Sequence, residues 1–292
     1  MAEKINVVVA NPAGNATILV LTPVPRERYA EVAGKLLQID FRKTAAGSGC
    51  GSPFARGTFT EELYRREIRG EQVGFVLDDE TDPVTGETTG RVEMSGMEFC
   101  GNAFRAFAYW KALCSRPPLR EVKGKMSGCE GVLTAVIDAG GRDAAVCMPL
   151  PESVSRFAAE GAGEGILVDL GGIAHLVLPD TEPSGELFEA IRKQFSRFPA
   201  FGVMFLDTKS GFMTPVVYVR DTGTTYFEGS CASGTTAAAV VQAMEQPDGV
   251  YRYSFPQPAG TLTAEVTKES GEVREIRLSG LVEVSGVIET EL

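Results

Sequence analysis

The apolar positions along the chain announce strands first. Ile5-Asn6-Val7-Val8-Val9-Ala10 is a short apolar run, and Leu133 to Ile137, Ala144 to Met148, Leu167 to Asp169 and Ala174 to Leu178 are of the same kind, several with β-branched residues. The second half is therefore expected to be strand-rich. Helical rhythm is rarer. Tyr29, Val32, Leu36 and Leu37 follow it behind Pro25, and Leu187, Ile191 and Phe195 follow it behind Pro183 and Ser184, as expected of outer helices with one buried face. Two other runs, Ala103 to Trp110 and Thr235 to Val241, are apolar or small on nearly every face. Such runs suit helices surrounded by sheet, and Ala237-Ala238-Ala239 permits especially close approach.

Each of these all-round apolar runs is opened by a thiol. Phe99-Cys100-Gly101-Asn102 precedes the first and Ser230-Cys231-Ala232-Ser233-Gly234 the second. The two motifs are the strongest parts of a longer internal repeat, which fixes architecture before other signals do. In the first half Pro12 to Val20 precedes Gln72 to Val76 and then Cys100; in the second Leu170 to Leu178 precedes Phe201 to Phe205 and then Cys231. From Gly74 to Cys100 is 26 positions and from Gly202 to Cys231 is 29, so the spacing is nearly kept as well.

Pro117-Pro118 must end the first apolar helix, and it places a domain boundary just after Arg120, giving 1–121 and 122–281. Asp78 to Arg91 is polar and acidic and reads as an exposed hairpin loop. Ala46-Gly47-Ser48-Gly49-Cys50-Gly51-Ser52-Pro53 lacks both the Lys-Ser/Thr ending of a P-loop and full G-x-G-x-x-G spacing, so it is weak evidence for phosphate binding; a lid is one use for it.

Composition narrows the function classes. The 39 acidic against 28 basic residues leave a net charge of −11, which disfavours a surface that tracks phosphates, so no nucleic-acid partner is expected. The start of the chain lacks the apolar core of a signal peptide and no stretch approaches the ~18 apolar residues of a membrane span; no membrane partner and a cytoplasmic location are expected. Six scattered cysteines without a C-x-x-C pair, and one histidine, His175, make zinc improbable and point to free thiols, with no metal site expected. Nothing in the chain marks a cofactor site, and none is expected.

A thiol at a helix N-terminus sits beside unpaired backbone N–H groups and partial positive charge, which favour thiolate and offer a seat for a carboxylate. Two such thiols on opposite faces of a dry cavity can abstract a proton from one side of a carbon and deliver one to the other, since a thiol pKa of about 8.5 lies within reach of neutral pH. Cys100 and Cys231 are the candidate catalytic pair, with the backbone of Gly101, Asn102, Ala232 and Ser233 converging on a substrate carboxylate. The partner is then a small-molecule amino acid. No oligomer symmetry is legible; a homodimer is the assembly entertained.

The residues Cys100-Gly101-Asn102 with Arg105, Cys231-Ala232-Ser233-Gly234, Pro12-Ala13-Gly14-Asn15 and Glu71-Gln72 resemble the motifs of the diaminopimelate epimerase superfamily of cofactor-independent racemases and epimerases. The resemblance implies an α+β fold of two pseudo-symmetric domains, each a curved, mostly antiparallel sheet around a central helix, with residues 282–292 returning to the first domain. It implies that the active site lies in the cleft between the domains, and it carries over Asn15 and Gln72 as substrate-binding candidates. The chain departs from the diaminopimelate pattern where Gly172-Ile173-Ala174-His175, Pro199-Ala200-Phe201-Gly202 and Val219-Arg220 replace the groups that grip the distal end of that substrate. Arg220 is kept and could still pair with a carboxylate. Tyr226-Phe227-Glu228, set three residues further from the Arg than usual, is similar to the histidine racemase branch of opine metallophore synthesis. There Glu228 would bind an ammonium or imidazole group, and Tyr226, Phe227 and Phe201 would form an aromatic wall. His175 either lines the cleft or is structural. The expected function is amino acid racemisation with histidine as the best substrate; diaminopimelate epimerisation and a catalytically silent binding protein of the same fold are the alternatives.

Overall fold

The computed structural model describes residues 3–41, 69–159, 161–220 and 223–292. The glycine-rich segment and Cys50 lie outside the described residues. The chain divides into two compact units, one of residues 1–144 with 281–292 and the other of residues 145–280.

In the first unit, β1 (Lys4–Pro12) pairs antiparallel with β2 (Thr17–Val20), and β2 pairs in parallel with β3 (Gln72–Thr81). Between these parallel strands runs α1 (Tyr29–Leu36), which buries Tyr29, Val32, Ala33 and Leu36, the stripe its spacing predicts. β3 returns antiparallel as β4 (Thr88–Met94), β4 pairs in parallel with β5 (Glu121–Met126), and β5 with β6 (Leu133–Asp138). The last strands, β17 (Val282–Val284) and β18 (Ile288–Glu291), both pair with β1. These strands surround α2 (Gly101–Leu113), which touches β1, β2, β4, β5, β6 and β17 and is buried on nearly every face. Gly90 and Gly124, partners across β4 and β5, leave room for its rings: a Cβ on Gly90 would meet Phe107 at 2.6 Å and one on Gly124 would meet Phe104 at 2.8 Å.

The second unit repeats the plan. β8 (Ser153–Ala159) and β9 (Gly163–Asp169) pair antiparallel, β9 pairs with β10 (Ala174–Pro179), and β10 runs parallel to β11 (Ala200–Leu206). The crossover carries α3 (Gly185–Arg192) and a short 3-10 turn, Lys193–Phe195. β12 (Met213–Val219) and β13 (Thr224–Phe227) continue the sheet, and α4 (Ala232–Ala243) follows. β14 (Gly249–Gln257), β15 (Gly260–Glu269), β16 (Glu272–Ser279) and β7 (Asp143–Cys147) form the rest, so α4 packs against β10, β11, β14, β15 and β16.

Strand alternation decides what faces each helix. On β10 and β11, Ala174, Leu176, Leu178, Phe201, Val203 and Phe205 join the cluster beneath α3. His175 and Gly202, which are register partners, point the other way, and so does Met204, which crowds Gly234 of α4. Phe201 therefore stacks on Phe195 at 4.3 Å inside that core, 1% exposed, whereas Tyr226 and Phe227 are 40% and 61% exposed. The three do not make one wall.

Two features differ from the sequence expectations. The first unit continues past Pro117-Pro118, because β5 and β6 extend the sheet of β4 over α2. Most of Asp78 to Arg91 is paired strand rather than loop, with Leu77 opposite Arg91, Thr81 opposite Thr88, and only residues 82–87 as the connection. Its acidity is matched from neighbouring elements: Lys111 pairs with Asp79, Lys125 with Glu80 and Lys123 with Glu87.

A buried cation closes α4. Lys268 on β15 is nearly inaccessible, and its Nζ donates to the carbonyls of Ala243 (2.9 Å), Met244 (2.9 Å) and Gln246 (2.6 Å), where the helix dipole is negative and carbonyls lack intrahelical donors. Lys268→Met would remove that donor from all three, leaving Ala243 O only the Gln246 N–H at 3.1 Å, and is expected to cost on the order of 3 kcal/mol. The difference in urea midpoint at unchanged slope measures it.

Candidate active site

Both cysteines occupy the same local position. Cys100 is the N-cap of α2, its sulfur accepting from Ala103 N at 3.4 Å; Cys231 is the N-cap of α4, its sulfur accepting from Gly234 N at 3.3 Å. Both have extended backbone, so the chain enters each helix with the thiol turned back over the first turn. The first N–H groups of a helix have no acceptor within it; Gly101 and Asn102 supply them in α2, Ala232 and Ser233 in α4.

Around Cys100 the first unit gathers Asn15, Gln72 and Asn102. The thiol donates to Gln72 Oε1 at 3.1 Å, and Gln72 Nε2 donates to Asn15 Oδ1 and Thr17 Oγ1, both at 2.7 Å. Asn15 Nδ2 donates to Glu71 at 2.8 Å, and Asn102 Nδ2 donates to Asn15 Oδ1 at 3.3 Å. Beneath them lies Arg105, fully buried, with Nη1 on Asn102 Oδ1 at 3.1 Å and Nε on Ala144 O at 2.8 Å. Burial pulls its guanidinium down to about 10, still charged at neutral pH, while Asp143 and a Cys100 thiolate act to keep it protonated. By the same attraction the buried cation favours an anionic sulfur.

The loop before Cys100 is pinned from behind. Ser127 Oγ donates to Glu98 O at 2.9 Å, and Gly128, at φ +66°, sits so close that a Cβ would meet Phe99 N at 2.2 Å. Only glycine suits that place, on grounds of conformation and of space.

The second unit gives Cys231 a different setting. The residue is 5% exposed, its N–H donates to Gln257 Oε1 at 2.8 Å, and Gln257 in turn binds Thr235 Oγ1 at 2.9 Å. Burial drives the thiol well above its ordinary range, and the adjacent Glu228 carboxylate adds to this. Ser233 Oγ stands 3.6 Å from the sulfur and 2.8 Å from His175 Nε2. Thus Glu228, Ala232 and Ser233 are brought together with Cys231. Arg220 is not: it follows the end of β12, where its backbone N–H donates to Pro199 O, while the backbone N–H of Glu228 donates to Pro215 O. The strand between Pro215 and Arg220 spans about 16 Å, and Arg220 lines a small cavity with Arg192, Phe195, Phe198 and Tyr218.

Sequence reasoning named neither Glu71, Arg105 nor Gln257 as site residues. Arg105 had a signal, a lone charge inside an all-round apolar helix; Gln257 had none, because only tertiary packing sets it behind Cys231.

A sheet around a central helix, built twice, is a fold that several solved structures share. A hydroxyproline epimerase from Agrobacterium vitis with bound trans-4-hydroxy-L-proline matches at TM-score 0.60 and 13% identity, covering 99% of this chain and 91% of that one. A predicted epimerase from Pseudomonas aeruginosa matches at 0.57 and 13%, covering 99% of both. Sequence relatives are more specific. A histidine racemase of Fusobacterium nucleatum (strain ATCC 25586) is 30% identical over 240 residues, 77% of this chain and 83% of the relative. One of Staphylococcus aureus (strain Mu50) is 24% identical over 263 residues, 86% and 85% of the two. The family described as the histidine racemase CntK N-terminal domain matches residues 60–287, and the chain belongs to that family. It is an isomerase, a racemase.

Proposed function

We propose that the protein racemises histidine, with Cys100 and Cys231 as the two proton-transfer groups acting on the α-carbon. The carrying observation is that each unit presents its thiol at the N-cap of its central helix, in matching geometry but opposite electrostatic settings. The buried Arg105 charge favours Cys100 as the thiolate that abstracts a proton. Burial and Glu228 favour Cys231 as the thiol that delivers one. After inversion the protonation states are exchanged, and the reverse reaction begins from there. The α-carboxylate is bound by first-turn N–H groups of the two central helices, which stabilise the negative charge that grows as the proton leaves. Glu228 and the Asn15–Gln72 pair are the side chains proposed to meet the rest of the substrate. Histidine is preferred over diaminopimelate because the polar groups that would read a distal amino acid are replaced, and a buried polar group without a partner is costly.

The test is a panel of L-amino acids, including histidine and LL-diaminopimelate, followed by chiral chromatography with no pyridoxal phosphate added. D-histidine formation at a kcat/KM at least about tenfold above every other substrate is expected, a modest margin for a pocket that hydrogen-bonds its side chain. Turnover of diaminopimelate but not histidine would overturn the substrate reading.

A further inference from the structure

Ser233 touches two groups at once, His175 Nε2 at 2.8 Å and Cys231 Sγ at 3.6 Å. A hydroxyl has one proton, so which neighbour receives it depends on the histidine tautomer. The other ring nitrogen decides. Nδ1 is buried with no hydrogen-bond partner and faces Gly202, where a Cβ would lie 2.5 Å from it. A buried N–H without an acceptor is rarer and costlier than a bare lone pair, so the proton belongs on Nε2. Nε2 then donates to Ser233 Oγ, and the serine proton is left for Cys231.

We propose that His175 is a positioning residue: fixed as the Nε2–H tautomer beneath α4, it turns the Ser233 hydroxyl toward Cys231 and makes it a standing donor to that sulfur. The assignment rests on the racemase reading above and gives Ser233 and His175 distinct roles in it. During turnover Cys231 must pass between thiol and thiolate. Burial and Glu228, the charged group bearing on it within its unit, both oppose the anion; the Gly234 N–H and the Ser233 hydroxyl offset them. His175 does not compete for the proton. Its ring is wholly buried and held neutral, pushed down to about 3. The proton taken by Cys231 therefore stays on sulfur, available for return to the α-carbon.

The test is the pH dependence of Cys231 alkylation by iodoacetamide in the intact protein, read by peptide mass spectrometry with Cys100 as internal control. Ser233→Ala and His175→Leu are expected to raise the pH midpoint by about one unit and to slow alkylation at pH 8 about tenfold. His175→Gln, whose amide places an N–H near the Nε2 position, is expected to remain within about twofold of the parent, as a replaced neutral donor should. Combined with Ser233→Ala it should restore nothing. Wild-type behaviour in Ser233→Ala, or His175→Gln as slow as His175→Leu with Cys100 unaffected, would overturn the proposal. Should His175→Leu not fold, Ser233→Ala and His175→Gln decide it. The readout needs no substrate, so failure of histidine turnover would be seen separately.

Discussion

Cys100→Ala and Cys231→Ala are each expected to lower histidine racemisation by at least about 10³-fold, with thermal stability little changed. The size follows from what each thiol does: with one sulfur absent, a proton is either not removed or not returned on the required face, and water is a poor substitute for a positioned acid or base. Because the two act as a unit, the double variant should be no more than slightly worse than either single one. Each single variant carries a finer signature. The remaining thiol can still take and return a proton on its own side, so slow solvent exchange without inversion is expected for one enantiomer only, and for opposite enantiomers in the two variants. Small stability effects are expected because alanine keeps the backbone, while the lost N-cap acceptors, Cys100 for Ala103 N and Cys231 for Gly234 N, cost each helix about 1 kcal/mol. Chiral chromatography with mass detection of α-deuterium measures both quantities.

The second large effect concerns acid. His175 is the one histidine in the chain and is wholly buried, and its folded pKa of about 3 lies below the ordinary 6.5. Between those values the unfolded chain binds a proton that the folded one does not, so stability is full above about pH 6.5 and falls as pH is lowered. The slope approaches 1.4 kcal/mol per pH unit, about 2 kcal/mol between pH 6.5 and 5 and roughly 5 kcal/mol by pH 3. Carboxylates held low by hydrogen bonds, such as Asp180 and Asp207, add their own losses only at lower pH. Urea unfolding at pH 7 and pH 5 should therefore show the decline in the parent and not in His175→Gln. Equal declines in the two would assign the acid sensitivity elsewhere.

Local patterns carried the thiol motifs, the outer helices and the repeat, because each depends on residues close in sequence. The two all-round apolar runs announced central helices correctly, since a helix buried on every side has no polar face to keep. What failed to show was set by register and remote pairing. The first unit runs to Ala144 because β5 finds β4 across the whole of α2, and Glu121-Val122-Lys123-Gly124 does not say so. Phe201 was expected in an aromatic wall with Tyr226 and Phe227, yet strand alternation turned it into the core beneath α3 and sent Gly202 and His175 toward α4. Arg220 was aligned by motif alone; the register that sets Val219 opposite Ala200 puts it at the far end of β12 from Glu228. In the first unit Asn102 was legible beside Cys100, but the approach of Asn15 and Gln72 was implied only by resemblance, since 57 positions separate Asn15 from Gln72 and the parallel pairing of β2 with β3 is what closes that distance.

Proton transfer by two groups on opposite faces of one carbon is checked by running L-histidine in heavy water and stopping before about a tenth has reacted. The D-histidine formed is expected to carry deuterium at the α-carbon while the recovered L-histidine still carries hydrogen. Deuterium entering recovered L-histidine as fast as product, or D-histidine that retains its original hydrogen, would contradict transfer by two groups.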